Sequence, residues 1–266
     1  MRSQHVPMTI AEFELLPMKL GWKYEYWDGQ AHISPGYQVV TVTIEVKPRP
    51  VNSQFRLRPI DARAEAQLVT AYLAAFRDAI EYCDWEPEQI QVSAHDTIQG
   101  FLAGKRGQPL PISRVAINSQ AESGAEYIIG AALLVEKKDG RPLLDILFVV
   151  PEWQRQGLAT ALVSEAVNEL VGSGAETLES RYMLGNDGSS AWHQRFGFVE
   201  EPDLLLVRQF YRHAQHELWR REKFGDLTET ERQVQIAEVQ QWKLRIEELE
   251  LIAEQHGMEA VLPLLR

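Results

Sequence analysis

The stretch that decides the fold is residues 145–174, which read DILFVVPEWQRQGLATALVSEAVNELVGSG. Its start is an apolar run of β-forming residues at positions 146–150, which ends at Pro151 and predicts a buried strand. Apolar residues then recur at every fourth position from Leu158 to Leu170, and this period predicts a helix. Glycines at positions 172 and 174 end that helix. The stretch therefore predicts a strand–loop–helix unit.

The loop between strand and helix, QRQGLA at positions 154–159, is a candidate anion site. Gly157 lets the backbone approach a ligand closely, and the start of the helix presents unpaired N–H groups. These features suit a phosphate or pyrophosphate, although a plain strand–loop–helix crossover explains the same residues. The sequence contains no G-x-x-x-x-G-K-[ST] run, which argues against a Walker-type NTPase. A dinucleotide fingerprint needs three glycines where this loop has one.

Strand and loop together resemble the acetyl-CoA signature Q-x-x-G-x-A of the GNAT N-acetyltransferase superfamily, with Gln154, Gly157 and Ala159 in the matching positions. A second match is Asn186 followed by AWHQRFGF at 191–198, where the family has an asparagine, a short helix and a Gly-Phe turn. Two motifs in the right order are more specific than either alone. The resemblance covers residues 55–210 and implies the GNAT acyl-CoA N-acyltransferase fold, a mixed α/β (α+β) architecture with helices flanking a central mixed sheet.

The resemblance also implies how acetyl-CoA is bound. Backbone groups of Phe148, Val149 and Val150 would bond the pantetheine arm and polarise the thioester carbonyl. Amides of residues 156–160 would hold the pyrophosphate, and Asn186 would contact the CoA arm. The predicted cofactor-binding residues are Phe148, Val149, Val150, Gln154, Arg155, Gln156, Gly157, Leu158, Ala159, Thr160 and Asn186.

Asp145 is the predicted general base. An amine with a pKa of about 10.4 is protonated at pH 7, so a base or water chain must remove a proton before attack. Asp145 lies near the position where many family members carry a base-like glutamate, and it would act through water. Strand alternation predicts that it shares the face of Leu147 and Val149. The alternative interpretation is that Asp145 is a polar residue at the start of a strand, without a catalytic role.

His193 is the predicted general acid. It stands four residues before Gly197, where the family commonly has a tyrosine that protonates the leaving thiolate. A histidine titrates near pH 6.5 and suits this role, although a cap or surface position would also explain it. Tyr182 and Tyr211 are possible substitutes. Proximity alone supplies roughly 7–11 kcal/mol of barrier reduction, so a member without a dedicated acid still works.

Composition excludes several classes of protein. A net charge of −11 and a pI of about 5.2 disfavour a nucleic-acid partner. Cys83 is the single cysteine, which excludes an internal disulfide and a CxxC metal site, and we expect no metal. The sequence has no apolar segment after residues 1–5 and no run of 18 apolar residues. These observations predict a cytoplasmic protein with no membrane partner.

The chain divides into three predicted segments: an accessory β-rich segment at 1–50, the acetyltransferase domain at 51–212, and a helical extension at 213–266. In the first, a Thr9–Glu12 capping box predicts a short helix and Asp28-Gly29 predicts a hairpin turn, with a third strand at 39–46. The pattern T-x-x-E-F…Y-E-x-x-D-G faintly resembles the opening of some restriction-type endonuclease domains. The other carboxylates and the lysine of a nuclease site are not identifiable, so that activity is not inferred.

Two late elements complete the predicted fold, a strand at 204–211 and a long helix at 228–255. An apolar seam runs along the long helix through Val239, Trp242, Ile246, Leu249 and Ala253. The seam fits a helix that forms a homodimer and equally a helix lying on its own domain.

The sequence thus predicts an acetyl-CoA-dependent N-acetyltransferase that acts on a primary amine of a small molecule or peptide. Direct transfer in a ternary complex is implied by the resemblance. The alternative is a non-catalytic protein of the same fold that binds CoA or serves as a scaffold. Transfer of a longer acyl group is a further alternative, and the acceptor cannot be read from the sequence because fold does not determine substrate.

Overall fold

The computed structural model describes residues 2–51, 54–119 and 126–262. The chain folds into two compact units. The first is formed by residues 1–40, 183–187 and 200–266, and the second by residues 41–182 and 188–199. The units therefore interleave along the sequence, whereas three consecutive segments were predicted.

The first unit contains a three-stranded antiparallel sheet in the order β1-β3-β2 and a short helix. Its elements are β1 (Gln4–Pro7), α1 (Ile10–Glu14), β2 (Trp22–Trp27) and β3 (Gln30–Pro35). Asp28 and Gly29 have φ of 52° and 73°, which matches the turn type that two-residue hairpins prefer. Thr9 and Glu12 form the reciprocal capping box of α1. The predicted hairpin and capped helix are confirmed.

Helices α6 (Leu204–Phe224) and α7 (Glu229–His256) complete the first unit. The predicted strand at 204–211 is wrong, because this segment is the start of α6. The Asp203 side chain accepts a hydrogen bond from the backbone N–H of Leu206 (2.9 Å) and caps the helix. Leu204, Val207 and Phe210 recur at helical spacing and are buried. A short apolar run does not by itself distinguish a strand from a buried helix segment.

The apolar seam of α7 packs within its own unit. Leu249 and Ala253 form a buried cluster with Leu204 and Val207 of α6, and Trp242 packs against that cluster. These contacts favour a helix that lies on its own domain, and a homodimer stays a prediction.

A mixed sheet forms the centre of the second unit. Its strand order is β11-β4-β10-β9-β8-β7-β5, and β6 pairs with β8. Its strands are β4 (Val39–Glu45), β5 (Arg56–Pro59), β6 (Gln108–Pro109), β7 (Arg114–Ser119), β8 (Glu126–Glu136), β9 (Pro142–Val149), β10 (Thr177–Met183) and β11 (Val199–Glu200). The third strand predicted for the accessory segment is β4, which lies in this sheet between β11 and β10.

Helices cover both faces of this sheet, as predicted. They are α2 (Glu65–Phe76), α3 (Pro87–Leu102), α4 (Leu158–Ser173) and α5 (Asp187–Phe196). A Cβ atom added to Gly130 of β8 would lie 3.3 Å from Leu158, so α4 covers the face of Gly130 and of its partner Val149. Phe148 points to the other face, where its ring centroid is 5.8 Å from that of Tyr72 in α2.

Strands β9 and β10 meet only where β9 begins. Their parallel register joins Leu143 to Glu179 and Leu144 to Ser180, while β9 runs on beside β8 as far as Val149. Among the described residues, the later part of β9 therefore has one edge without a neighbouring strand. Buried Glu179 accepts hydrogen bonds from Lys137 (2.8 Å) and from Arg181 (2.8 Å) at this junction.

We expect Glu179→Gln to lower the free energy of unfolding by about 1–3 kcal/mol near pH 7, because hydrogen bonds to a charged group are lost. Burial alone would raise the pKa of Glu179, but the bonds from Lys137 and Arg181 together lower it. The carboxylate therefore stabilises the fold above its unfolded pKa of about 4.3, and this stabilisation disappears as the pH falls through the folded pKa.

Urea unfolding at pH 7, 5, 4 and 3 tests this expectation. The destabilisation by Glu179→Gln should shrink at the lowest pH, whereas Glu136→Gln, an exposed carboxylate on β8, should have little effect throughout. An equal cost of Glu179→Gln at all four pH values would contradict the prediction.

Candidate active site

The loop after β9 is shaped by two residues with left-handed backbone. A 3₁₀ turn at Pro151–Trp153 follows the strand, and Arg155 then has φ of 58° and Gly157 has φ of 87°. A Cβ added to Gly157 would meet no atom within 4 Å, so the backbone conformation, rather than lack of space, favours glycine here. Gly157 is the residue that caps α4.

The first turn of α4 has unpaired N–H groups. The N–H of Ala161 donates to the carbonyl of Gly157 (2.9 Å), which is the first bond of the helix. No acceptor in the described chain takes the amide hydrogens of Leu158, Ala159 and Thr160. Arg155 likewise makes no ion pair with a described residue. The helix dipole, the unpaired amides and this guanidinium are features that suit an anion, and the predicted anion site stays a prediction.

Two glutamine side chains of the loop bond to its own backbone. Gln154 Nε2 donates to the carbonyl of Val149 (3.0 Å), and Gln156 Nε2 donates to that of Glu152 (2.9 Å). These bonds fix the loop against the end of β9. The side chains of Gln154 and Gln156 therefore support the loop, and their predicted contact with a cofactor stays a prediction.

The backbone of β9 presents Val149 to its open edge. The N–H of Val150 donates to the carbonyl of Ile129 (3.0 Å), so Val150 is bonded on the side of β8. Backbone groups of successive strand residues point to opposite edges. The N–H of Val149 therefore points to the open edge, and Phe148 bonds on the β8 side like Val150. Of the three backbone positions predicted to bind the pantetheine arm, the geometry favours Val149.

Asp145 is a β-bulge residue. Strands β8 and β9 pair Leu133 with Ile146 and Leu134 with Leu144, which leaves Asp145 without a partner in the ladder. The bulge turns its side chain to the face that α2 and α3 cover. Strand alternation predicted the opposite face, shared with Leu147 and Val149, and this prediction is wrong because alternation fails at a bulge.

Asp145 is paired with Arg106, which follows α3. Arg106 Nε donates to Asp145 Oδ2 (2.6 Å) and its Nη2 donates to Oδ1 (3.0 Å). The Asp145 side chain is 10% exposed and that of Arg106 is 40% exposed. The hydrogen bond to Asp145 raises the pKa of Arg106. The negative charge of the carboxylate is thus balanced by the permanent positive charge of Arg106. The role of Asp145 as a base stays a prediction.

A chain of hydroxyl groups lies beside this ion pair. The Tyr72 and Tyr82 hydroxyls are 2.8 Å apart, and the Tyr82 hydroxyl is 3.2 Å from Ser93 Oγ. Burial raises the pKa of Tyr72, so its phenol keeps its proton at neutral pH. Tyr72 also contacts Phe148 near the open end of β9.

His193 lies in the interior, 3% exposed. Its Nδ1 donates to the carbonyl of Ser189 (2.8 Å), since a carbonyl can only accept, and its Nε2 then accepts from the Ser180 hydroxyl (2.9 Å). Burial lowers the pKa of His193, an effect that the Ser189 carbonyl partly opposes, so the ring is neutral at pH 7. These contacts attach α5 to β10 and disfavour the predicted role as an acid, which stays untested.

Trp192 and Arg49 are site residues that the sequence did not predict. Trp192 Nε1 donates to Thr160 Oγ1 (3.3 Å), which attaches α5 to the first turn of α4. Arg49 lies 4.3 Å from the ring centroid of Phe196 and donates to its carbonyl (2.7 Å). The aromatic motif at 191–198 could have indicated Trp192. Nothing local could indicate Arg49, which is 147 residues from Phe196.

Asn186 lies in the turn between β10 and α5, where its N–H donates to the carbonyl of Met183 (3.0 Å). It belongs to the first unit, and its contact with the CoA arm stays a prediction. The described residues hold no group of three or more His, Cys, Asp or Glu side chains that could bind a metal ion. None of the described helices combines the length and apolar character needed to cross a membrane.

One family model matches part of the chain. Residues 69–198 match the model of the acetyltransferase (GNAT) family. No curated protein matches the chain. A GCN5-related N-acetyltransferase from Sphaerobacter thermophilus is 18% identical with a TM-score of 0.44, and the alignment covers 61% of this chain and 48% of that protein. A conserved protein of unknown function from Staphylococcus epidermidis is 14% identical with a TM-score of 0.45, covering 62% and 60%.

A GNAT family acetyltransferase from Brucella melitensis, solved with acetyl-CoA, is 23% identical with a TM-score of 0.33, covering 47% of this chain and 73% of that one. The chain thus spans about half the length of the Sphaerobacter protein. The match of residues 69–198 to the family model is consistent with both signature motifs, which lie inside that range. No comparison bears on the faint endonuclease resemblance of the first segment.

We expect His193→Gln to make the stability of the protein less dependent on pH. Because burial lowers the folded pKa of His193 below the unfolded value of about 6.5, the unfolded chain binds the proton more tightly. Stability is therefore full above pH 6.5 and falls as the pH drops through the folded pKa. The wild type should lose free energy of unfolding between pH 7.5 and 5.5, and the variant should lose less.

Urea unfolding at both pH values provides the measurement, with His95→Gln, an exposed histidine of α3, as the control. The variant should also be less stable at pH 7.5 by about 1–3 kcal/mol, since buried hydrogen bonds are lost. If the free energy of unfolding depends on pH equally in the wild type and in His193→Gln, the result would contradict the interpretation of His193 as a buried neutral imidazole.

Proposed function

From the acetyltransferase family domain at residues 69–198, we propose that this chain transfers the acetyl group of acetyl-CoA to a primary amine by direct attack within a ternary complex. The observation that carries the proposal is the unpaired first turn of α4 at the end of a strand with one open edge. A pyrophosphate at the amides and a pantetheine arm along the edge would fill both features.

The loop would bind the cofactor through backbone and charge. Amides of Gly157, Leu158, Ala159 and Thr160 would donate to the pyrophosphate, and the Arg155 guanidinium would add a cation at the positive end of the α4 dipole. The net charge of the chain is −11, which would repel a polyanion. The local positive potential at this loop would overcome that repulsion and allow the proposed site to bind one.

The reaction joins nitrogen to carbon and releases sulfur. The amine nitrogen attacks the thioester carbonyl carbon, the C–N bond forms, the C–S bond breaks, and CoA leaves as the thiolate. An ammonium substrate releases two protons in total, of which one ends on the CoA sulfur and one reaches solvent. The N–H of Val149, aimed at the open edge, would donate to the oxyanion of the tetrahedral intermediate.

Asp145 would accept the first proton through water. The ion pair with Arg106 holds the carboxylate in place, and proximity of the two substrates would supply the larger share of catalysis. We assign His193 a positioning role, because its neutral ring has no proton to give at Nε2 and holds α5 against β10. The thiolate of CoA, with a thiol pKa of about 8.5, would then take its proton from water.

Two observations favour a second candidate, a domain that binds CoA without catalysis. The predicted base is neutralised by Arg106, and the predicted acid is buried with both ring nitrogens bonded. This candidate shares the cofactor site with the enzyme and differs only in the absence of acetyl transfer.

We expect Gly157→Asp to abolish acetyl-CoA binding measured by calorimetric titration. The substitution places a carboxylate where the pyrophosphate would lie and strains a residue with φ of 87°. Gly140→Asp is the matched control, because Gly140 has φ of 82° and also has no atom within 4 Å of an added Cβ.

Binding by the wild type and the control, but not by Gly157→Asp, is the result that the proposal requires. Failure of the wild type to bind acetyl-CoA would overturn it. If the wild type binds acetyl-CoA but acetylates no amine, the result would support the second candidate, a domain that binds CoA without catalysis, over the enzyme.

We expect Asp145→Asn to lower kcat by about 10²- to 10⁴-fold if the carboxylate relays the proton. The deficit should narrow as the pH rises, because more of the amine is already unprotonated, and the KM for acetyl-CoA should stay within a few-fold of wild type. Release of CoA thiol, followed from pH 6 to 10, provides the measurement. Asp139→Asn, in the turn after β8, is the control, and a kcat within twofold of wild type would exclude Asp145 as the base.

A further inference from the structure

A groove of about 690 Å³ runs along the side of α3 in the second unit. Its volume lies in the range of small-molecule sites. Trp85 lies at one end, before the helix begins, and Lys105 and Arg106 lie at the other end, after it has finished. Glu88 and Asp96 line the helix between them. The groove therefore has an aromatic end, an acidic wall and a basic end.

Three of the four charged side chains that line this groove have no ion-pair partner within the described chain, and the fourth, Arg106, is only partly paired. Lys105, Glu88 and Asp96 form no ion pair or side-chain hydrogen bond with a described residue. Arg106 bonds Asp145 through Nε and Nη2, which leaves Nη1 without an acceptor among the same residues. A ligand that complements this surface carries an anionic group for the basic end and a cationic group for the acidic wall.

The spacing of the two charged regions matches a small molecule. The stem of Arg106 lies against Gly100, whose added Cβ would be 3.7 Å from Arg106 Cδ. Asp96 is four residues earlier on α3, a rise of about 6 Å, and Glu88 is about 12 Å further along. An amino acid with a cationic side chain spans the distance from Arg106 to Asp96, and a short peptide reaches towards Trp85.

We infer that the acceptor of the proposed acetyl transfer is a zwitterionic amine, namely an α-amino acid or short peptide with a carboxylate and a second cationic group. This inference rests on the proposed function, because Arg106 connects the groove to Asp145 on β9. The carboxylate binds Arg106 Nη1 and Lys105, and the distal cation binds Asp96. A polyamine without a carboxylate places positive charge against Lys105 and Arg106 and is repelled.

Three probes of nearly equal size separate the two charged contacts. L-Lysine carries both groups, L-lysinamide lacks the carboxylate, and L-norleucine lacks the distal ammonium. Calorimetric titration of each into the full-length protein, with and without saturating CoA, measures binding separately from catalysis. We expect L-lysine to bind about tenfold more tightly than either analogue, since each lost contact is a charge-assisted hydrogen bond.

Variants assign each preference to its residue. Lys105→Ala should remove the preference for L-lysine over L-lysinamide, and Asp96→Asn should remove the preference for L-lysine over L-norleucine. Lys138→Ala, an exposed lysine in the turn after β8, should change neither preference. None of these variants should alter the affinity for acetyl-CoA.

The outcomes distinguish this inference from the proposed function. Spermidine binding as tightly as L-lysine, equal binding of the three probes, or no binding of L-lysine would overturn the zwitterion assignment, even if acetyl-CoA binds and another amine is acetylated. Selective binding of L-lysine in a protein that does not bind acetyl-CoA would overturn the proposed function and leave the ligand class of the groove in place.

Discussion

The structure around the candidate site depends on one constraint, the incomplete pairing of β9. This strand bonds β8 along its length but meets β10 only at Leu143 and Leu144. Backbone N–H groups that do not bond a neighbouring strand need another acceptor, so the end of β9 directs Val149 towards a ligand position. The loop after β9 then turns through Arg155 and Gly157 and starts α4 beside the same edge. An open strand edge and an unpaired helix start thus lie together.

Buried polar contacts hold this geometry in place. Glu179 with Lys137 and Arg181 secures the junction where β9 and β10 still meet. His193 attaches α5 to Ser180, which pairs with Leu144 at that junction. Because unpaired polar groups in an interior are costly, each of these contacts strongly specifies one arrangement. His193 thus contributes to the candidate site by holding α5 against β10.

Electrostatics divide the second unit into distinct regions. The loop at Arg155 and the first turn of α4 are positive, although the whole chain is acidic. The Asp145 carboxylate is neutralised by Arg106, whose remaining N–H groups are available to a ligand in the groove beside α3. The bulge at Asp145 makes this pairing possible, since a regular strand would direct the carboxylate to the face of α4. Through this one bulge residue, β9 is joined to Arg106 and to the proposed acceptor groove.

The sequence by itself determined the local elements, because their signals lie within a few residues. The run at 146–150, Gly157, the spacing of the helix after it and the motif at 191–198 specify the strand, the loop and the helices of the site. Tertiary structure decided the rest. The bulge at Asp145 depends on pairing with β8, and the burial of His193 depends on Ser180 in another element. The segment at 204–211 became a helix because its apolar residues pack against α7, a contact that no local pattern contains.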